Sequence, residues 1–285
     1  MNRVASTLKK MPDIRTSLRL ALPPRALPFI LARKWYLSFY LPRLANSWFV
    51  KRTPEVHGFG GSGRAPHLWE QLQSVNTLAP TRMCWIMTKY GSDKGNGWHN
   101  YTTVYSVLFK EFHDRPLRLF ELGLAINDPV DVSNMGGQGR PGASLRGWRE
   151  LFPHALVYGG DINRNILFQE DRIKTYYCDQ LNQVAIRDLW SQPVLREGMD
   201  IIIEDGLHTF EANVSFLEGS IDCLRPGGIY IIEDIACEWS DRWCEQVESI
   251  YVKKYPNYEF AFVNLLTPLN TARDNNLLVI RRNRE

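Results

Sequence analysis

Asp205-Gly-Leu-His208 and, further along, Glu233-Asp234 bring three carboxylates and one imidazole into two short stretches. The stretches lie at the ends of apolar runs that read as buried strands, Gly198–Glu204 and Ile229–Glu233. Neighbouring strands lie about 4.8 Å apart, so if these two are neighbours their ends converge. Asp205, Glu233 and Asp234 would then offer hard oxygen ligands with open positions, suited to Mg²⁺ or another hard divalent cation. Such an ion chelates adjacent hydroxyls and lowers their pKa. His208 is the expected base, because a free imidazole titrates near pH ~6.5. The competing reading makes the acids surface turns and helix caps, and His208 a solvent-facing residue at a helix start. Acids recur at four strand ends, which favours the functional reading. His57, His67, His113 and His154 have no such company and are read as surface or core histidines.

These groups need a frame. Leu117–Leu122 reads as a buried strand that stops at Gly123, where the backbone can turn tightly and approach a ligand. A second strand, Leu156–Gly160, ends in Asp161. Strand, glycine turn, helix and second strand with a terminal carboxylate describe a nucleoside crevice, with Asp161 placed for ribose hydroxyls. A third strand runs from Ile173 to Asp179. Helical patterns cover 68–90, 104–112, 142–152, 209–224 and 239–255. Ser144 is the expected N-cap of the third, and Thr102 or Thr103 of the second. Tyr258–Asn264 and Asn276–Arg281 read as a closing hairpin. The prediction is an α/β fold: a Rossmann-like, mostly parallel sheet with helices on both faces, a C-terminal antiparallel hairpin and one antiparallel edge strand. Ligands bind outside the C-terminal strand ends of such sheets. The polar, Gly-rich loop 90–102 places Ser92, Asp93, Lys94, His99 and Tyr101 to line a pocket mouth, an ordinary capped turn being the alternative. The insertion 127–141 is long enough to suggest a functional loop.

The 285-residue chain has a net charge of +3, which hides two different objects. Residues 1–54 carry 11 Lys and Arg against one acid, Asp13, or +10; the rest carries 23 basic and 30 acidic residues, or −7. Residues 1–57 are expected to form a basic, aromatic-rich arm, 58–66 a Gly-rich linker, and 67–285 the catalytic domain with its preceding helices. The arm's uncharged runs are far shorter than the roughly 20 residues needed to span a bilayer. Its Trp, Tyr and Leu interleaved with Arg and Lys suit packing on the body or a partner subunit of a homo-oligomer, or peripheral contact with an anionic membrane. No nucleic-acid motif accompanies it. Five cysteines without CxxC spacing argue against a disulfide framework and fit a cytoplasmic protein.

From about Tyr90 to Asn283 the chain resembles class I S-adenosylmethionine-dependent methyltransferases. More narrowly it resembles the Mg²⁺-dependent sugar O-methyltransferases of mycinamicin and rhamnosyl-tetracenomycin biosynthesis. The resemblance is carried by Ser92-Asp93-Lys94 with His99 and Tyr101, Glu121-Leu-Gly123, Gly142-Ala-Ser-Leu-Arg146, Leu224-Arg-Pro-Gly-Gly228, and Asp205-x-x-His208 with Glu233-Asp234. It implies S-adenosylmethionine bound by Glu121, Gly123, Ser144, Asp161 and Asp179. It also implies Mg²⁺ held by Asp205, Glu233 and Asp234, with His208 as base. Ala125 stands where many methyltransferases have glycine. The implied function is methyl transfer to a hydroxyl of a sugar or glycosylated small molecule. The alternatives are another small-molecule or lipid-linked hydroxyl, or a catalytically silent, membrane-docked member of the fold.

Overall fold

The computed structural model describes residues 53–61, 67–95, 99–126, 140–265 and 272–284. The basic arm up to residue 52, most of the 127–141 insertion and residues 62–66 lie outside the described residues. The strands are β1 (Glu55–Gly60), β2 (Leu117–Leu122), β3 (Ala155–Asp161), β4 (Gln169–Glu170), β5 (Ile173–Tyr177), β6 (Met199–Glu204), β7 (Leu224–Ile232), β8 (Tyr258–Asn264) and β9 (Asn276–Arg282). The main helices are α1 (Leu68–Gln73), α2 (Arg82–Tyr90), α3 (Tyr101–Leu108), α4 (Ala143–Leu151), α5 (Gln183–Trp190), α6 (Phe210–Ser220) and α7 (Ser240–Gln246). After α7 the chain continues through a π-helical turn, Val247–Tyr251.

All nine strands form one sheet in the order β1-β8-β9-β7-β6-β2-β3-β5-β4. The central strands β7, β6, β2, β3 and β5 run parallel to one another. β2 and β6 are buried at every position, as a parallel strand covered on both faces must be. Alternate residues feed two cores. Leu119, Ile201 and Ile203 meet α1 to α4 on one face, around Tyr105, Phe109 and Trp148. Phe120, Ile202 and Tyr230 meet α5 to α7 on the other, around Trp190, Phe216 and Trp243.

The α/β architecture is the expected one, with differences in detail. The antiparallel strand is not an edge: β9 lies between β7 and β8 and is antiparallel to both. The edges are β1 and the two-residue β4. Gly58–Gly60, expected as linker, is instead strand, paired antiparallel with β8. A Cβ on Gly58 would come within 2.3 Å of the Trp69 ring, so the glycine lets α1 lie against the strand. The domain therefore begins ahead of residue 67. The helical pattern over 68–90 splits into α1 and α2, and Thr81 caps α2 by accepting from the Cys84 amide. Helix α3 begins at Tyr101 with Asn100 as its N-cap residue, ahead of Thr102 and Thr103. Helix α4 begins after Gly142, whose left-handed backbone turns the chain into the helix, so Ser144 sits in the first turn and is free for other work. The described cysteines are all free, and no described helix is long and apolar enough to cross a membrane.

Candidate active site

The C-terminal ends of β2, β6 and β7 lie side by side, and each delivers acids to one cleft. Glu121 comes from β2, Asp205 follows β6, and Glu233 and Asp234 follow β7. The first turn is tight. Gly123 has φ +92°, and a Cβ there would lie 1.8 Å from the Asp205 carbonyl oxygen. This close approach of two strand ends excludes every residue with a side chain. Ala125, at the position where glycine was anticipated, takes the same left-handed region with φ +54°.

Lys94 lies at the centre. It is 1% exposed, although it comes from a Gly-rich loop. Its ammonium donates to Asp205 and, at 2.5 Å, to Glu233, and lies 3.7 Å from Glu121. The remaining acceptors are filled by helices. Ser144 and the Trp148 indole donate to the two oxygens of Glu121, and the Tyr105 hydroxyl donates to Glu233. Burial works to lower the Lys94 pKa, but Asp205, Glu233 and Glu121 outweigh it and hold the group well above the usual lysine range. Burial pushes Glu233 well above the carboxylate range, and Asp205 and Glu121 push the same way against the opposing pull of Lys94.

Asp234 opens the outer half of the cleft. Tyr101 donates to it at 2.5 Å, and His99, stacked on Tyr101, places Nε2 3.5 Å from it. Burial first, then Asp205, raises the Asp234 pKa to about 7, against His99 and the Tyr101 hydrogen bond. His208 Nε2 lies 3.7 Å from Asp234 Oδ2 and 4.0 Å from Asp205 Oδ1. Both His208 (φ +57°) and Asp234 (φ +54°) adopt left-handed backbone, which costs on the order of 1 kcal/mol or more each and persists only where the surroundings impose it. One donor atom from each of Asp205, His208 and Asp234 falls within 4.8 Å of the others, a spacing that fits a divalent cation. Glu233, expected as the third metal ligand, is not in that group. Its oxygens are taken by Lys94 and Tyr105.

Of the expected cofactor residues, Glu121 and Ser144 belong to the Lys94 cluster, while Asp161 and Asp179 come from the ends of β3 and β5. Asp161, closing β3, accepts from the Leu124 amide at 2.9 Å and from the Asn163 amide at 2.7 Å. Asp179 lies two residues past β5 and accepts from the Leu181 amide. Ile162, next to Asp161, and Leu181, two residues past Asp179, are 62% and 55% exposed. Ser92 is buried, and its hydroxyl faces the Lys94 amide at 3.4 Å. The sequence reading missed Tyr105, Trp148 and Gln180 as functional residues. Tyr105 falls one helical turn after Tyr101, a spacing that puts both hydroxyls on one side of α3. The side-chain amide of Gln180 donates to Glu204 at 3.0 Å and accepts from the Leu207 amide at 2.7 Å, bracing the turn that carries Asp205.

Glu204 itself is buried, and burial lifts its pKa to about 7, against the opposing pull of His208 and Gln180. Unfolded, it ionises near 4.5. Between these values the unfolded chain has shed a proton that the folded chain keeps. Stability therefore falls as pH rises from 4.5 to about 7, by about 3 kcal/mol for this group. Glu204→Gln is expected to flatten that fall. In thermal melts of the metal-free protein, the drop in midpoint between pH 5 and pH 8 should shrink by roughly 5–10 °C. An unchanged drop would exclude Glu204 as its source.

The sheet is mostly parallel, with an antiparallel strand slotted beside β7, a glycine turn after β2 and acids at successive strand ends. No family model matches the chain. In sequence it is 35% identical over 153 residues to 8-demethyl-8-alpha-L-rhamnosyl tetracenomycin-C 2'-O-methyltransferase of Streptomyces olivaceus, covering 53% of this chain and 36% of that protein. It is 31% identical over 162 residues to demethylmacrocin O-methyltransferase of Streptomyces fradiae, covering 55% and 36%. The chain thus spans only about a third of the length of these two relatives. Among solved structures, the MycE methyltransferase from the mycinamycin biosynthetic pathway, in complex with Mg and SAH, superposes with a TM-score of 0.52 at 20% identity, over 72% of this chain and 56% of that one. Sugar O-methyltransferases are thus its sequence relatives, and the fold is shared with a methyltransferase of known structure.

Proposed function

We propose that the chain is an S-adenosylmethionine-dependent O-methyltransferase that acts, with a divalent cation such as Mg²⁺, on a hydroxyl of a sugar or glycosylated small molecule. The observation that carries this reading is the convergence of Asp205, Asp234 and His208 at the strand ends beside the Gly123 turn. The relatives support the acceptor class, since their names specify rhamnosyl and macrocin acceptors. The structure of MycE with Mg, SAH and mycinamycin VI supports the pairing of metal, cofactor and glycosylated acceptor.

In this reading the cofactor supplies an activated methyl group on sulfonium, and the protein supplies positioning and charge. Gly123 lets the backbone approach the cofactor. Glu121, Ser144 and Asp161 line the crevice on its amino-acid and ribose sides. Asp179, with exposed Ile162 and Leu181, offers a polar edge and an apolar platform for the base. Asp205 and Asp234 would hold the cation, whose chemistry there would be that of a Lewis acid lowering the pKa of the acceptor hydroxyl. The His208 Nδ1 is buried without a hydrogen-bond partner, which leaves Nε2, facing the two aspartates, as the working nitrogen. His208 takes the hydroxyl proton as the oxygen–carbon bond forms, while the carbon–sulfur electron pair stays on sulfur.

Two measurements test this. Isothermal titration with S-adenosylhomocysteine is expected to show micromolar binding. Methyl transfer to a rhamnosylated polyketide or glycosylated macrolide is expected to stop on addition of EDTA and return with excess Mg²⁺. Absence of S-adenosylhomocysteine binding would remove the methyltransferase reading, and turnover in EDTA would remove the metal.

A further inference from the structure

Arg146, on α4, is 4% exposed. A guanidinium so far from water persists only where its charge is paired and its N–H groups are bonded. Its partner is Glu170, one of the two residues of β4. Arg146 Nε and Nη2 donate to Glu170 Oε1 at 3.0 and 2.7 Å, and Nη1 donates to the Pro141 carbonyl at 2.7 Å. The guanidinium stands 4.3 Å from the centre of the Phe168 ring, the same ring that a Cβ on Gly142 would meet at 2.5 Å. Arg140 and Arg149 also donate to Glu170, each at 3.1 Å. Arg146 above all holds the Glu170 carboxyl below the usual carboxylate range, against its partial burial.

Pro141 and Gly142 are what this arrangement fixes, and they meet the glycine turn after β2. The Gly142 amide donates to the Leu124 carbonyl at 2.7 Å, while the Leu124 amide donates to Asp161 at 2.9 Å. Leu124, next to Gly123, is thus gripped from both sides, by Asp161 and by Gly142. As a strand, β4 adds only two residues to the edge of the sheet. What it delivers to α4 is the Glu170 carboxylate, with Phe168 just ahead of it.

Resting on the methyltransferase reading above, we infer that Arg146 and Glu170 are a positioning pair for the cofactor. They fix Pro141 and Gly142, so that the Gly142 amide holds Leu124 and the turn keeps the shape that receives S-adenosylmethionine. In this role the pair governs cofactor affinity and leaves the methyl-transfer step unchanged.

S-adenosylhomocysteine binding to the purified full chain is measured by isothermal titration for wild type, Glu170→Gln, Arg146→Lys and the double variant. Lysine keeps the charge but lacks the planar fork that bonds Glu170 and Pro141 at once. Arg225→Met is the control, since it breaks an ion pair with Asp200 near the opposite ends of the strands. Circular dichroism checks that each variant is folded, and the two single variants are separate routes, so either can decide the question if the other fails to fold. Each single variant is expected to weaken S-adenosylhomocysteine by about tenfold, and the double variant to be no more than about threefold weaker than either, because the two residues act as one unit. Arg225→Met should stay within about threefold of wild type. In steady-state kinetics with a glycosylated acceptor, KM for S-adenosylmethionine should rise by about tenfold in the single variants while kcat stays within about threefold. Single variants that bind like wild type would overturn the inference. So would a double variant that loses the product of the two single losses, an equal loss in Arg225→Met, or a fall in kcat with KM unchanged. Wild-type protein that binds no S-adenosylhomocysteine would overturn the methyltransferase reading and this inference with it, a result distinct from any pattern among the variants.

Discussion

His208→Ala is expected to lower turnover of a glycosylated acceptor by about 10²–10⁴-fold, the usual contribution of a positioned proton acceptor. S-adenosylhomocysteine affinity and the unfolding midpoint should stay close to wild type. The side chain is about one-third exposed and packs in neither core, so its loss leaves no large cavity. The following helix keeps its start, because Thr209 is the N-cap of α6 and accepts from the Ala212 amide. The backbone at 208 is left-handed for either residue, so alanine inherits that cost without adding to it. Steady-state kinetics with a defined acceptor checks the prediction. Turnover within about threefold of wild type would remove His208 from proton transfer and leave the two aspartates and their cation as the whole catalytic device.

Gly123→Ala should have the largest effect on the fold of the site. The substituted carbon would meet the Asp205 carbonyl at 1.8 Å, and backbone cannot swing aside as a flexible side chain can. The φ of +92° adds strain for any L side chain. Relief requires β2 and β6 to part at their ends, which would break the Asp205 amide's 3.0 Å bond to the Leu122 carbonyl. The expected loss is on the order of 3 kcal/mol, together with loss of S-adenosylhomocysteine binding, since the same turn faces the cofactor crevice. Urea denaturation and isothermal titration read the two effects separately. A variant as stable as wild type would show that the strand ends can separate at little cost.

The sequence makes the frame legible because fully buried parallel strands are continuous apolar runs. Leu117–Leu122 is such a run with the bounds of β2, and Gly198–Glu204 is another, starting one residue ahead of β6. Acids placed just after such runs fall at the same end of the sheet, so the meeting of Asp205, His208 and Asp234 follows from strand order. Lys94 was harder to read. The loop places it at a pocket mouth or in a capped turn, and its full burial depends on three carboxylates supplied from distant parts of the chain. Glu233 reads as a ligand from its place at a strand end, and its position there does not tell that Lys94 and Tyr105 also reach its oxygens. Gly58 misleads in the opposite sense. Glycine signals a loop, yet here the missing side chain admits the Trp69 ring, and pairing with β8 makes the segment a strand. Ser144 sits two residues past the cap because Gly142 turns the chain first, which frees its hydroxyl for Glu121.

The position of β9 also has a consequence for biosynthesis. β7 and β8 share no ladder of their own; both bond to a strand made after them. A nascent polypeptide that has emerged from the ribosome only as far as residue 265 therefore leaves both strands without their common partner. Such bare rims invite intermolecular pairing. Completion of this part of the sheet must wait for translation of β9, and β1, made earlier, joins it through β8.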